Sequence, residues 1–563
     1  MERSRAKYLA TPSARLRAAH LLALSAFAIA QPMFSLLTKQ PFHLAIEGFR
    51  AIDVVVYSLA LLLVPPGILM AVECIVGLLH KRALAVVHAL FVGLLACLVL
   101  FRALRGLPLD YKTFGAGLGA LMFVRLYRSW EPARQFLTIC SFAAIFFLAV
   151  FLIRAPLREL STSDVQAASV PPIRTKTPVV LVIFDEFPES SLMDAAGAID
   201  RLRYPNFAAL AGTSTWYRNA TTVHDYTFWA VPAILTGQLP ENDQLPVMAN
   251  HPENLFTLLG GNYRINASEP ITRLCPERLC PNASESLDRR MGKLARHLVG
   301  FFRRGLFLWG GFHETVPDWN DPPAQVNRFL AKINSRTQRQ LDVIHVVLPH
   351  GPWRYLPSGQ KYKGGDSLAG AVAGKWGGSE RLVDRAYGRH LLQVGFVDRL
   401  LGKIVARLRA TGLWNRSLFI VTADHGVSFR PGAEERKVET RNLADIAFVP
   451  LFVKRPFQPG SVVDDRSART VDIVPTIVDL LHIKMPWKLD GRSLLSASRP
   501  FPSRIVVRSI TGDLVNAPWA VMRAGRATTV ARKARLFGHG VDLLQAVDKT
   551  GRLTTGDDGN GSP

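Results

Sequence analysis

Cysteine is scarce in this chain, five in 563 residues. Cys275 and Cys280, in Cys-Pro-Glu-Arg-Leu-Cys, are the pair outside the apolar N-terminal part. With no second pair beside them, a zinc knuckle is excluded. If that part of the chain is exported, a local disulfide is expected there. Acidic residues are also few, 44 Asp+Glu against 68 Lys+Arg, for a net charge of +24. Such an excess fits a solvated basic surface, or attraction to anionic headgroups or an anionic substrate. The basic residues are scattered and no base-stacking module is present, so nucleic acid is not an expected partner. Internal repeats are absent, and the polar tail Thr554–Pro563 is expected to be disordered.

Apolar residues make up 48% of the chain, unevenly spread. Residues 1–153 carry long apolar runs. A membrane-spanning helix needs about 20 such residues. Leu21–Leu37 with its flanks, Ile52–Leu79 (kinked at Pro65-Pro66), Leu84–Phe101 and Phe136–Ile153 qualify. Thr113–Val124 spans only if extended to Leu109–Tyr127. With five helices, the even-handed alternation of loops puts ten basic residues on one side and five on the other, so the N-terminus is expected inside. An odd count then carries everything after Arg154 outside, to a periplasmic or extracellular position on the cell's inner or plasma membrane. The first segment is followed by further spans and is expected to be retained, not cleaved.

Residues 154–177 have linker composition. Beyond them, strands alternate with helices. Pro178–Phe184, Val343–Leu348, Ser417–Val421 and Phe448–Val453 are apolar and strand-like. Asn206–Ala211, Ala230–Leu235, Tyr387–Ala410 and Thr470–Leu481 read as helices. The alternation predicts an α/β/α sandwich over 178–500, with functional loops beyond the carboxyl ends of strands. Residues 501–563 form a C-terminal extension. Arg289–Trp309 is basic, aromatic and helix-like, suited either to a bilayer interface or to packing on the domain.

Asp185 ends one apolar strand, and Asp424-His425-Gly426 ends another. Thr227 follows Asp185 by 42 residues, in Thr227-Phe-Trp-Ala-Val-Pro-Ala-Ile-Leu-Thr-Gly237. A hydroxyl is a poor nucleophile at neutral pH unless a base or a metal activates it. Asp185, Asp424, His425 and the Thr227 hydroxyl together would hold one divalent ion. Carboxylates with an imidazole suit zinc or manganese better than magnesium or calcium.

Residues 178–495 resemble the alkaline phosphatase/sulfatase superfamily. The resemblance rests on Val-Val-Leu-Val-Ile-Phe-Asp185-Glu186, Tyr204-Pro-Asn-Phe-Ala-Ala-Leu210, the Thr227…Leu-Thr-Gly237 block, Leu348-Pro-His350-Gly-Pro352, Val421-Thr-Ala-Asp424-His425-Gly426, Val449-Pro-Leu-Phe-Val-Lys454, Val471–Leu481 and Asp490-Gly-Arg-Ser-Leu494, in that order. It implies a phosphate or sulfate ester substrate and a covalent intermediate. Thr227 stands where sulfatases carry Cys or Ser, so no formylglycine can form. A threonine there resembles the phosphoethanolamine transferases and lipoteichoic acid synthases, which pair a five-helix membrane domain with an external catalytic domain. The resemblance implies transfer of a phosphate-linked headgroup to an envelope glycan or lipid, with a membrane phospholipid as donor. Hydrolysis of phosphate or sulfate esters and a catalytically silent envelope scaffold are the alternatives. His350 resembles the substrate-binding histidine of those transferases. Trp229, His224, Arg354 and Arg430 are further candidates for substrate contact, and Trp353 for lining the pocket. Those transferases carry another histidine shortly after Asp-His-Gly; here 427–447 has none, and Glu434, Glu435 and Glu439 are expected to be solvated.

Overall fold

The computed structural model describes residues 10–538 apart from 40, 47, 105, 162–172, 282–289, 291, 293–320, 335–338, 362–369 and 373. Internal packing divides the chain into two units. One is Met1–Ser161 with Glu285–His313; the other is Thr162–Ser284 with Glu314–Pro563.

The first unit is helical. Ala14–Lys39, Ala51–Leu79, Lys81–Ala103 and Glu131–Arg154 are long and apolar enough to cross a membrane. Pro65 and Pro66 lie inside the second of these. The remaining expected span is a helix as well, Leu109–Ser129, of 21 residues. It is not among the helices apolar enough to count as candidate spans, of which there are four among the described residues. Asp110, Lys112, Arg125 and Arg128 near its ends leave it less apolar than the other four. Leu78, Phe114 and Phe146 are among many large apolar side chains left exposed, the surface that lipid would cover.

Inside this unit runs a line of buried polar groups, with members from five helices. Arg17 Nε donates to Glu73 Oε2 at 2.8 Å, and His88 Nδ1 donates to Glu73 Oε1 at 2.7 Å. His88 Nε2 then accepts from the Tyr127 hydroxyl at 2.6 Å, and that oxygen accepts from His20 Nδ1 at 2.8 Å. His20 Nε2, left with a lone pair, faces the Thr138 hydroxyl at 3.0 Å. Asp53 is likewise buried and takes Arg290 Nε at 2.7 Å. Apart from Arg290 and Gly292, the stretch Arg289–Trp309 lies outside the described residues, as does the tail Thr554–Pro563.

The second unit is built on a seven-stranded sheet. In chain order its strands are β1 (Val179–Asp185), β2 (Thr215–Tyr217), β3 (Arg264–Ser268), β4 (Gln340–Pro349), β5 (Leu418–Ala423), β6 (Leu451–Lys454) and β7 (Val462–Asp464). The spatial order is β7-β2-β6-β5-β1-β4-β3. β6 runs antiparallel to both neighbours, while the other pairs are parallel. Strand periodicity sends alternate residues of β1 to opposite faces. Val180, Val182 and Phe184 join the core under the long helix Glu380–Ala410. Val179, Leu181 and Ile183 join the core under Thr227–Thr236 and Ile473–Leu480. Helices thus cover both faces of a mixed sheet, and β1, buried on both sides, is apolar throughout until Asp185.

Cys275 and Cys280 are joined by a disulfide. Residues 501–538 are woven into this unit. They form a hairpin, Arg504–Arg508 with Leu514–Pro518, and the helix Trp519–Phe537. Buried Lys533 donates to the carbonyls of Ser190 and Ser191 at 2.9 Å.

Candidate functional site

β1 lies between β5 and β4 and is parallel to both, so their carboxyl ends gather at one edge. Register pairs Ile183 with Thr422 on one side and with His345 on the other. Paired residues share a face, and so do residues two further along. Asp185, Asp424 and His345 therefore belong to the face covered by the helix Thr227–Thr236. That helix begins at Thr227, three residues earlier than the sequence pattern suggests. It ends at Gly237, whose φ of 71° closes it in the left-handed conformation.

Thr227 Oγ1 lies 3.4 Å from Asp185 Oδ1 and 3.3 Å from His425 Nε2. His425 Nδ1 donates to the Gly426 carbonyl at 2.9 Å, which leaves the Nε2 lone pair aimed into the cluster. Asp424 Oδ1 accepts the backbone N–H groups of Glu186 and His425, at 3.2 and 2.6 Å. Its Oδ2 lies 3.5 Å from His425 Nε2. The four residues named from sequence as ligands and nucleophile thus converge, all of them buried.

His345 was missed by sequence reasoning. The signal was a lone imidazole inside the apolar run Val343–Leu348. Its Nε2 lies 3.7 Å from Asp185 Oδ2. Ligand atoms of Asp185, His345 and Asp424 fall within 4.8 Å of one another. Asp185 Oδ2, Asp424 Oδ2 and both His345 nitrogens are buried without a hydrogen-bond partner in the protein. An unpaired buried polar atom costs about 1–3 kcal/mol unless something takes its lone pair. Burial, then Asp424 and Glu186, push Asp185 well above the usual carboxylate range. Burial pushes His345 down to about 4, so one ring nitrogen keeps its lone pair available. Clustered carboxylates, orphaned oxygens and an imidazole lone pair are what a divalent cation requires, and the residues fit one.

Around this cluster, Glu186 is buried with a φ of 55°, a left-handed conformation that few non-glycine residues adopt. Its carboxylate accepts the Gly351 N–H at 3.1 Å, pairs with Arg436, and lies 3.5 Å from His350 Nε2. Burial opposes its charge, but Arg436 and then His350 outweigh that and hold it near 2.

Other candidates fall elsewhere. His224 is fully buried, stacked on Trp229 at 4.8 Å. Its Nδ1 accepts the Tyr226 N–H, and burial lowers it to about 3. Both rings brace the turn before Thr227 instead of lining an open site. Arg430 is engaged by Asp445 and Thr529, at 2.6 and 3.0 Å. Trp353 packs in a buried aromatic group with Trp376 and Phe429. Arg354, half-buried, donates its backbone N–H to Gln393. Glu435, expected in solvent, is buried, and burial together with Glu186 raises it to about 8.

Residues 324–483 match the Sulfatase family model. That segment is a sulfatase-family domain. It carries His345, His350, Asp424 and His425; Asp185 and Thr227 precede it. Two relatives share local identity. Arylsulfatase K of Bos taurus is 32% identical over 102 residues, 18% of this chain and 18% of that protein. The multifunctional alkaline phosphatase superfamily protein PehA of Trinickia caryophylli is 32% identical over 101 residues, 18% of this chain and 19% of that protein. The chain thus matches about a fifth of the length of these relatives. Among solved structures, the lipoteichoic acid synthase LtaP of Listeria monocytogenes superposes with a TM-score of 0.37 at 14% identity, over 66% of this chain and 95% of that one.

Proposed function

We propose that this is a membrane-anchored, metal-dependent transferase that moves a phosphate-linked headgroup, of phosphoethanolamine or phosphoglycerol type, from a phospholipid to an envelope glycan or lipid. The observation that carries the reading is the Thr227 hydroxyl, 3.4 Å from Asp185 and 3.3 Å from His425, at the first residue of a helix. A bound divalent ion at Asp185, Asp424, His345 and His425 would lower the pKa of that hydroxyl and offset charge on the substrate.

The chain's own residues supply the rest. Thr227 Oγ gives up its proton to solvent and forms a bond to phosphorus as the bond to the donor's bridging oxygen breaks, and the donor leaves as an alcohol. The N-terminal end of Thr227–Thr236 favours the anionic group. His350, 14% exposed beside Glu186, is placed to give the leaving oxygen its proton. The acceptor hydroxyl then displaces the headgroup from Thr227, which regains its proton. Five membrane crossings would carry the sheet unit outside, where envelope acceptors are.

The test is mass spectrometry of detergent-solubilised protein after incubation with membrane phospholipids. A phosphoethanolamine- or phosphoglycerol-sized adduct on Thr227 is expected; turnover with Thr227 never modified would sink the mechanism. The sulfatase-family segment and its arylsulfatase relatives favour a second reading, hydrolysis of a phosphate or sulfate ester with water as acceptor. Release of headgroup without any modified acceptor would select it.

A further inference from the structure

Resting on the reading of His350 above, we propose that Gln393 is the positioning residue of that imidazole. It holds residues 349–355 so that His350 stays beside Glu186.

Gln393 lies on the helix Glu380–Ala410, and its side chain is buried. An amide has two N–H donors and two lone pairs, and any left unused in the interior is costly. Here all four go to one short stretch of chain. Nε2 donates to the carbonyls of Pro349 and His350, at 3.0 and 2.9 Å. Oε1 accepts the backbone N–H groups of Arg354 and Tyr355, at 2.9 and 3.2 Å. One side chain thus holds the stretch at both ends. Its middle is fixed by buried Trp353, packed with Trp376 and Phe429.

The hold reaches the imidazole through one rigid group. The His350 carbonyl and the Gly351 N–H belong to the same planar peptide unit. Gln393 fixes its oxygen at 2.9 Å, and Glu186 fixes its nitrogen at 3.1 Å. His350 Nδ1 donates to the Gly351 carbonyl, so Nε2 is the nitrogen that faces Glu186, at 3.5 Å. Three residues earlier on the same helix face, His390 Nε2 lies 3.0 Å from the Ser191 hydroxyl. Ser191 belongs to the segment that follows Asp185-Glu186. One helix therefore sets the His350 side of the site against the Asp185 side. A helix face that needed only burial would be served by an apolar residue, as at Leu392 and Val394 on either side.

Full-length, zinc-loaded protein in detergent is compared with Gln393→Met, which keeps the bulk and removes all four bonds. Amide hydrogen exchange at Arg354 and Tyr355 is expected to quicken, with zinc still bound. Turnover is measured on two diesters of phosphoethanolamine, one with an n-butyl and one with a p-nitrophenyl leaving group. The butyl oxygen needs a proton as it leaves, and p-nitrophenolate does not. Gln393→Met is expected to lose about tenfold more kcat on the butyl ester than on the p-nitrophenyl ester, as is His350→Ala. Combined with His350→Ala, it should add no further discrimination, because both act through one group. Unchanged exchange in Gln393→Met overturns the proposal. So does an equal loss on both esters where His350→Ala discriminates between them, or additive losses in the double variant. Should Gln393→Met fail to fold, Gln393→Glu decides by the same ratio, since it loses only the donors to Pro349 and His350. Quickened exchange with no discrimination by His350→Ala would reject the acid role of His350 and leave the hold of Gln393 standing. If wild type turns over neither ester, the reading above fails, and exchange at Arg354 and Tyr355 decides alone.

Discussion

In the helical unit, buried Glu73 has Arg17 on one oxygen and His88 on the other, and Tyr127, His20 and Thr138 extend the line. In the sheet unit, Asp185, Asp424 and His345 are buried just as deeply, yet Asp185 Oδ2, Asp424 Oδ2 and both His345 nitrogens meet no protein partner. Burial of charge is thus common to both clusters and marks neither as a site. What differs is saturation. A closed set of hydrogen bonds binds helices to one another; an open, convergent set leaves lone pairs for something the chain does not itself supply.

The largest expected effect falls on the open cluster. Thr227→Ala should cut turnover about 10⁴-fold, near 5.4 kcal/mol in barrier, with circular dichroism unchanged. Activity within tenfold of wild type would remove the nucleophile from the scheme. On the closed cluster, Glu73→Ala should cost about 3–5 kcal/mol of stability by stranding Arg17, while turnover per folded molecule stays the same. Thermal unfolding in detergent and activity corrected for folded fraction check both halves. A variant that is stable but inactive would break the contrast.

His345→Leu sharpens it through a change of sign. Under chelation the variant should be more stable than wild type, by about 1–3 kcal/mol, because two unpaired nitrogens are gone. Zinc affinity should fall about 10–100-fold. If chelated variant protein melts lower than chelated wild type, His345 has a partner and the cluster is not open.

The effect most confined in pH concerns an orphan outside the cluster. His251 is buried and its Nε2 has no partner; burial lowers it from 6.5 to about 4. The unfolded chain therefore binds a proton that the folded one refuses between these values. Its contribution to stability is full above pH 6.5 and declines as pH falls toward 4, by at most about 1.4 kcal/mol per pH unit. Urea midpoints at pH 7, 5.5 and 4 should drop less steeply in His251→Gln. Identical slopes would show that this imidazole titrates freely. One orphan is only a cost; several converging make a site.

Much of the candidate site was legible because strand ends punctuate an apolar pattern. Asp185 and Asp424 each follow a β-branched run, and Thr227 sits at a spacing that resembles a known block. Arginines were not legible. Arg430 and Arg436 are six residues apart in one loop, equally basic in sequence, yet one pairs with Asp445 and the other with Glu186. His224 and Trp229 are candidates for substrate contact because they flank the nucleophile in sequence, yet both are buried; adjacency in the chain says nothing of which ring turns inward. Glu435 followed the same rule in reverse, a loop carboxylate that packing had buried.

By itself the sequence determined the helical N-terminal unit, the strand-and-helix alternation after residue 178 and the residues able to ligate a cation, since hydropathy, periodicity and side-chain chemistry are local properties. Tertiary structure alone decided that β4 lies beside β1 and so brings His345 to Asp185. It also decided which buried groups are saturated, and which of two arginines pairs with Glu186. Those outcomes depend on strand order and loop closure between residues a hundred or more positions apart, which no local pattern records.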